Sequence, residues 1–148
     1  MNIKKCVLMN VKLIEGGKMP EYMTEQAACA DCYARIPSGE ITVLAGKRTL
    51  VPLGFAIELP EGYEAVIRPR SGLTKKGIDN GIGTIDSDYR GELMACVINN
   101  SGEDYKICNG DRICQIKIQP AEQVSFVPVE ELSETKRGDG GFGHTGIK

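Results

Sequence analysis

The chain has 148 residues and a formal net charge of −2, with 18 Lys and Arg against 20 Asp and Glu. That length predicts one domain with its own core, and the near-balanced charge argues against stable nucleic-acid binding. The longest uninterrupted apolar run, Leu93 to Ile98, is too short to span a bilayer, and the first residues lack a signal peptide's apolar segment. We therefore expect a soluble, intracellular protein of the cytoplasm with no membrane partner.

Short apolar runs separated by turn residues predict strands along most of the chain. The predicted strands are Cys6 to Ile14, Ala27 to Arg35, two within Thr49 to Leu59, Tyr63 to Pro69, Leu93 to Asn99, Arg112 to Gln119 and Val124 to Val129. No helical periodicity persists for three turns. Ser71 to Gly77 is expected to be a loop or a single helical turn, and Val129 to Lys136 has only slight helical character. The pattern favours an all-β sandwich or barrel.

The residues that follow Pro69 have a composition suited to binding an anion. There Arg70, Ser71 and Gly72 follow a strand and open a turn, so that consecutive amides, a hydroxyl and a guanidinium form a nest for an anion. Ser-Gly after a strand is also ordinary turn chemistry. The roles of two other polar residues are undecided in the same way. Gln115 either reaches a ligand or faces solvent, and Asp31 either binds a metal-held water or caps a turn.

The stretch from Gly81 to Glu92 combines a glycine-bearing turn with three acids and an aromatic residue. Gly81 and Gly83 permit the positive φ angles and close backbone approach with which a hairpin holds a ligand by its main chain. Asp86 lies just past the turn, where a carboxylate can accept a proton from water, and Tyr89 is placed to wall the same pocket. Taken alone, the pattern is more typical of a plain turn between two strands.

The C-terminal stretch from Arg137 to Gly146 contains five glycines in ten residues. Little apolar surface there offsets the entropy of ordering, so composition alone indicates a flexible end. One phenylalanine, Phe142, and one arginine, Arg137, among glycines also describe a lid. The ring would stack on a base while the guanidinium and backbone amides hold phosphate.

Six cysteines without an export signal indicate thiols more than a disulfide framework. Cys96, Cys108 and Cys114 lie in or beside apolar runs, where a reduced cysteine packs as a small hydrophobic residue. Cys29 and Cys32 have the spacing of a metal or redox pair, but no second pair accompanies them. A zinc-binding module built on these two cysteines is therefore a weak alternative.

Five stretches in a fixed order closely resemble the five motifs of the trimeric deoxyuridine triphosphate pyrophosphatases (dUTPases). They are Cys29 to Ala34, Pro69 to Leu73, Gly83 to Gly91, Arg112 to Gln115 and Arg137 to Gly146. The resemblance implies an all-β, jelly-roll-like β-clip or β-barrel protomer over residues 1–136 and a flexible glycine-rich C-terminal lid over residues 137–148. It also implies a homotrimer with active sites at the subunit interfaces, and hydrolysis of dUTP to dUMP and pyrophosphate with Mg²⁺.

The same resemblance implies a role for each motif residue. Asp86 resembles the acid that deprotonates the attacking water and touches the sugar 3′-hydroxyl, and Tyr89 resembles the ring that excludes a ribose 2′-hydroxyl. Asp31 resembles the acid that holds Mg²⁺ through water. The other implied substrate contacts are Arg70, Ser71, Gly72 and Gln115 for the phosphates, Asn80 and Gly83 for uracil, Arg137 for the γ-phosphate, and Phe142 with Gly143 for the cover over the base.

The chain departs from the family pattern at three positions. Cys29 stands where Gly is usual, Cys32 where Leu is usual, and His144 where Ser is usual, so a phosphate role for His144 stays open. One rival is the related dCTP deaminase, which needs an acid in the strand after the third motif, and Leu93 to Ile98 contains none. The other is a non-catalytic module that binds a nucleotide or a regulatory protein through the same fold.

Overall fold

The computed structural model describes residues 7–146, and within that range it contains eleven strands and one four-residue helix. The elements are β1 (Asn10–Leu13), β2 (Ala30–Tyr33), β3 (Glu40–Val43), β4 (Arg48–Pro52), β5 (Phe55–Glu58), β6 (Tyr63–Arg68), α1 (Ser71–Thr74), β7 (Ile78–Asn80), β8 (Gly83–Ile85), β9 (Met94–Asn99), β10 (Tyr105–Cys108) and β11 (Arg112–Pro120). The all-β prediction is confirmed. No helix between residues 7 and 146 has the length and apolar character needed to cross a membrane.

The strands form four small antiparallel sheets whose neighbours are far apart in sequence. The largest has the order β2-β11-β6-β8, the next has the order β4-β9-β7, and the remaining strands pair as β1-β5 and β3-β10. The nine-residue strand β11 lies between β2 and β6. Because directly opposed residues of antiparallel strands share a face, this arrangement brings three distant chain segments to one place on the sheet.

One cluster of buried side chains joins all four sheets. Phe55 of β5, Ile67 of β6, Val97 of β9 and Ile107 of β10 come from different sheets, and each is almost completely buried. Burying one such side chain stabilises the fold by roughly 1.5–3 kcal/mol. Because the core is shared, no sheet can shift without disturbing the others, which makes the sheet edges a rigid base for polar groups.

Several predicted elements are confirmed, and four strands, β3, β7, β8 and β10, lie outside the predicted ones. Thr49 to Leu59 holds two strands, as expected, and Ser71 begins a single helical turn. Two of these missed strands, β3 and β10, pair with each other. Their exposed positions carry polar residues such as Glu40 and Lys106, which form a 2.9 Å ion pair, so neither strand has a long apolar run. Cys6, the first residue of the first predicted strand, lies outside the described residues.

The predicted strand from Val124 to Val129 was wrong, and residues 129–136, where only slight helical character was expected, form no helix. Residues 121–136, here called the arm, follow β11 without a helix or a strand, and most of their side chains are exposed. Pro128 lacks the N–H group that a sheet ladder requires, and the arm finds no partner strand in the described part of its own chain. The apolar residues that suggested a strand therefore lie outside the core.

The expected hairpin around Gly81 was also wrong. β7 pairs with β9 in the three-stranded sheet, whereas β8 pairs with β6 in the four-stranded sheet. The two-residue link between them, Gly81 and Ile82, passes from one sheet to the other instead of reversing within one. Accordingly, neither Gly81 nor Gly83 is among the described glycines with positive φ.

Candidate active site

Three segments that are far apart in sequence converge at one end of the four-stranded sheet. Gln115 of β11 lies opposite Asp31 of β2 on one side and Arg68 of β6 on the other. The Asp31 carboxylate is 3.2 Å from the Nε of Arg70 and 3.1 Å from an Nη of Arg112. Asp31, Arg70, Arg112 and Gln115 are called the arginine cradle below.

The cradle is fixed by hydrogen bonds as well as by charge. Arg70 donates from its Nη1 to the carbonyl of Arg112 at 2.8 Å, and Gln115 donates to the carbonyl of Pro69, also at 2.8 Å. Asp31 is only 8% exposed, and the two guanidinium groups offset the cost of burying its carboxylate. The guanidinium groups themselves remain partly exposed, and they present charged donors in a fixed geometry that suits an anion.

The start of α1 lies beside the cradle. Arg70 has an extended backbone, with φ −97° and ψ 131°, and its carbonyl accepts hydrogen bonds from the amides of Leu73 and Thr74. Buried Leu73 anchors the turn, while Ser71 and Gly72 are exposed. The first amides of a helical turn have no intrahelical acceptor, so these two residues add backbone donors and a hydroxyl next to the arginines.

Asn80, at the end of β7, carries a buried acceptor that nothing satisfies. Its side chain donates to the carbonyl of Ile113 at 2.9 Å, and the residue is only 6% exposed. Its Oδ1 atom has no hydrogen-bond partner among residues 7–146. A buried polar atom without a partner costs about 1–3 kcal/mol, so this position favours a ligand or water that brings an N–H or O–H donor.

Asp86 and Tyr89 lie on one turn that follows β8. The amide of Tyr89 donates to the carbonyl of Asp86 at 3.1 Å, and the Tyr89 hydroxyl donates to the carbonyl of Glu92 at 3.2 Å. A methyl group placed on Gly91 would collide with the phenol of Tyr89. Glycine at that position is therefore what allows the tyrosine ring to lie against the backbone.

A single chain does not bring Asp86 to the cradle. Asp86 follows Ile85, which pairs with Ala65 near the start of β6, whereas Gln115 pairs with Arg68 at the end of β6. Ala65 and Arg68 are three positions apart and Asp86 lies one position beyond Ile85, so the separation is four residues, or about 13 Å along the sheet. The open cleft beside Asp86, of about 820 Å³, is instead lined by acids: Glu61, Glu64, Asp86 and Asp88, with Arg90 as its basic member.

The tail is likewise separate from both groups. The hydrogen bonds found for residues 137–146 within the described chain run to partners at positions 135–146, including a 2.8 Å bond from Arg137 Nε to the carbonyl of Gly140. Phe142 is fully exposed and has a φ of 49°. Arg137, Phe142, Gly143 and His144 line a small cleft of their own, so the structure does not place them against the cradle or Asp86.

The structure adds polar groups to which sequence reasoning gave no role. Arg112 opens the fourth motif, and its position at the start of a strand was the only signal. Arg35 and Glu92 form a two-bond ion pair across 57 positions, which no local pattern reveals. The hydrogen bonds from Arg35 lower the pKa of Glu92 below its ordinary value.

Cys32, one of the two cysteines that depart from the family pattern, follows Asp31 of the cradle in β2. Cys32 is fully buried directly opposite Cys114, which is also fully buried. The hydrogen bond with Cys114 and burial together raise the pKa of the Cys32 thiol. These thiols pack as part of the core, and within residues 7–146 no group of three or more His, Cys, Asp or Glu side chains is arranged to hold a metal ion.

Together, the fold and the site define a small β protein with a pre-formed anion cradle and a separate acidic turn. A family model described as dUTPase matches residues 15–146. A Finegoldia magna protein named deoxyuridine 5'-triphosphate nucleotidohydrolase is 50% identical over 143 residues, covering 93% of this chain and 99% of the relative. A Rhizobium rhizogenes protein of the same name is 51% identical over 136 residues, covering 89% and 87%. The chain belongs to the dUTPase family.

Solved structures agree with the fold. A mutant dUTPase of Staphylococcus bacteriophage 80alpha with dUpNHpp has a TM-score of 0.87 at 24% identity, covering 95% of this chain and 99% of that chain. A mutant dUTPase from phage phi11 of S. aureus, which reveals the coordination of a structural Mg(II) ion, has a TM-score of 0.78 at 22% identity, covering 86% and 99%. The predicted family and β fold are confirmed.

Proposed function

We propose that this chain is a dUTP diphosphatase, which hydrolyses dUTP to dUMP and pyrophosphate. Its membership of the dUTPase family and the names of its relatives at about 50% identity support this function. The observation on the molecule that carries the proposal is the arginine cradle. Two guanidinium groups sharing one buried carboxylate, beside the first amides of α1, suit the oxygens of a triphosphate.

The proposed chemistry divides between two groups of residues. Asp86 takes a proton from the water that attacks the α-phosphorus, and the cradle with Ser71 and Gly72 neutralises the charge that develops on the phosphates. Gln115 contributes an amide donor to the same anion. The P–O bond to the β-phosphate breaks, and pyrophosphate leaves with its charge held by the arginines.

Recognition of the base rests on Asn80 and the backbone near Gly83. The unsatisfied Oδ1 of Asn80 accepts a hydrogen bond, and uracil carries an N–H at N3 where cytosine carries only a lone pair. A site whose buried polar atom would remain unpaired can reject the wrong ligand by about 10⁴-fold. Tyr89 is placed to exclude a ribose 2′-hydroxyl.

We propose that the working form is a homotrimer in which different copies complete each site. The separation of Asp86 from the cradle supports this, because one chain alone places its base at the wrong end of β6. Charge supports it as well: an acidic cleft beside Asp86 needs a basic surface from elsewhere to hold a triphosphate. The arm adds exposed apolar side chains suited to burial against another copy, namely Val124, Phe126, Val127, Val129 and Leu132.

Asp31 is the residue that would hold Mg²⁺, through water. Both arginines make their closest contact with the Oδ2 atom of this carboxylate, at 3.2 Å and 3.1 Å. Mg²⁺ keeps most of its waters and takes its remaining oxygens from phosphates, so a single outer carboxylate is compatible with it. When bound, the ion supplies charge neutralisation on the phosphate oxygens.

The C-terminal stretch from residue 137 acts in this proposal as a lid. Arg137 meets the γ-phosphate, and Phe142 covers uracil with Gly143 beside it. Exposed residues held only by local turns can change conformation at little cost, which suits a segment that must admit substrate and then close. We also propose an intracellular location, since the five described cysteines are free thiols, the state that a reducing compartment maintains.

The activity is tested by incubating the purified chain with Mg²⁺ and dUTP, dCTP or dATP in parallel. We expect pyrophosphate release from dUTP alone. Ammonia release from dCTP would point instead to a deaminase, and no product from any nucleotide would favour a binding module.

Sharing of the site between copies is tested by mixing two inactive variants, Asp86→Asn and Arg70→Ala. Mixed trimers contain some sites with an intact base from one copy and an intact cradle from another, so the mixture should regain a fraction of wild-type turnover. Light scattering on each variant confirms the assembly. Intact mixed trimers without any recovery would show that one chain supplies both groups.

A further inference from the structure

We propose that Arg35 and Glu92 act as a positioning pair, which fixes the turn carrying Asp86 and Tyr89 and so sets the preference for deoxyribose over ribose. This inference rests on the proposed hydrolysis of dUTP. Neither residue is in the arginine cradle or in the glycine-rich tail, and neither is proposed to touch substrate.

The pair has the geometry of a strong interaction. Arg35 donates from Nε to Glu92 Oε1 at 2.7 Å and from Nη2 to Oε2 at 2.8 Å. The side chains are 19% and 21% exposed, so the pair is largely shielded from water and from salt. Glu92 Oε1 also accepts from the amide of Gly54 at 3.0 Å. Two parallel charge-assisted hydrogen bonds fix orientation as well as distance.

Arg35 is itself fixed by the backbone around it. The amide of Arg35 donates to the carbonyl of Pro52 at 2.8 Å. A methyl group on Gly54, whose φ is 77°, would lie 2.5 Å from the Cα of Gly17 and 3.0 Å from the Cδ of Arg35. The aliphatic stem of Arg35 therefore lies against closely packed backbone, and its guanidinium has little freedom to follow a moving partner.

Glu92 is where the catalytic turn joins the sheet scaffold. From Leu93 onward the backbone is paired, since the amide of Leu93 donates to the carbonyl of Phe55 and its carbonyl accepts from the amide of Leu53, both at 2.9 Å. Between Ile85 and Leu93 the chain belongs to no strand, and the turn from Asp86 to Tyr89 is closed by its own hydrogen bond. The Glu92 side chain thus ties the end of this unpaired stretch to Arg35 and Gly54.

The same residue also holds the tyrosine. The carbonyl of Glu92 accepts from the Tyr89 hydroxyl at 3.2 Å, and the phenol rests on Gly91. A change in the orientation of Glu92 therefore moves the ring that is proposed to exclude the 2′-hydroxyl. Misplacement of a reacting group by about 1 Å can cost roughly 10²-fold in rate, so a small shift of this turn would affect both turnover and sugar selectivity.

The test measures kcat and KM for dUTP and for UTP with Glu92→Gln and Arg35→Met. We expect kcat for dUTP to fall by about 10- to 100-fold with little change in KM. We also expect the ratio of kcat/KM for dUTP over UTP to fall by about tenfold, because the ring no longer fills the space of the extra hydroxyl. Glu40→Gln is the matched control, since it breaks the 2.9 Å ion pair with Lys106 away from the turn.

A second variant separates positioning from folding. Tyr89→Phe leaves the ion pair intact and removes only the hydroxyl that contacts Glu92, so it should lower the same substrate ratio. Combined with Glu92→Gln, it should add little further loss, because both changes release one ring. An unchanged ratio in folded Glu92→Gln, or fully additive losses in the double variant, would overturn the positioning role. A wild-type chain that leaves dUTP intact would refute the proposed hydrolysis itself, before any variant is compared.

Discussion

The arginine cradle and the glycine-rich tail are stabilised in opposite ways. In the cradle, Asp31 and its two arginines are tied to strands that share one core, and their hydrogen bonds cross more than 40 positions of sequence. In the tail, Arg137 bonds three residues away, and Phe142 packs against no core residue of the described chain. The charges proposed to meet a triphosphate are therefore pre-organised, whereas the proposed cover over the base is left free to rearrange.

The largest loss of turnover is expected from a change at Asp86, the proposed general base. Asp86→Asn keeps the size of the side chain but removes its ability to take a proton, so turnover should fall at least about 10²-fold while binding and assembly persist. Asp88→Asn on the same turn is the control and should stay close to wild type. Steady-state pyrophosphate release and dUTP titration measure the two properties, and near-normal turnover of Asp86→Asn would remove it from the role of base.

A slightly smaller effect is expected from removing the tail. Deletion of residues 137–148 removes the proposed contacts of Arg137 and Phe142, so turnover should fall by roughly 10²-fold, the loss typical of a missing transition-state donor. The truncated chain should still assemble and unfold like wild type, because its core is intact. Activity assays measure its turnover and light scattering its assembly. Full activity of the truncated chain would show that the tail is only a flexible end.

The smallest expected effect is the loss of folding stability when the ion pair between Arg35 and Glu92 is weakened. At neutral pH, Glu92→Gln should lower the free energy of unfolding by about 1–3 kcal/mol, since it weakens a charge-assisted pair. The pKa of Glu92 in the folded chain is lowered, chiefly by its hydrogen bonds with Arg35, from an ordinary value of 4.5. The pair therefore stabilises fully above about pH 4.5 and is lost as the pH falls through the lower folded value.

This dependence has a direct readout in denaturant unfolding at fixed protein concentration. The difference between wild type and Glu92→Gln should be constant from pH 7 down to about pH 5 and should shrink at lower pH, as the wild-type pair protonates. A difference that grows as the solution is acidified would contradict the assigned direction of the pKa.

Much of the fold could be predicted because apolar runs and turn residues mark strands locally. The strands from Tyr63 to Arg68 and from Met94 to Asn99 were found this way. β3 and β10 were missed because exposed positions in a small sheet carry polar residues such as Glu40 and Lys106. The arm shows the opposite error. A strand was predicted there because its valines are typical of strands, but the arm pairs with no strand in the described chain.

The sequence by itself determined the kinds of chemistry available: a carboxylate after a turn, arginines beside a strand end, and a glycine-rich tail, each encoded by neighbouring residues. Only the tertiary structure decided which of these meet. Asp31, Arg70 and Arg112 come together because β2 and β6 flank β11, and Asp86 is kept apart because the antiparallel strand β8 runs toward the start of β6. Sheet neighbours and their register depend on how the whole chain buries its core, and no local stretch of sequence contains that information.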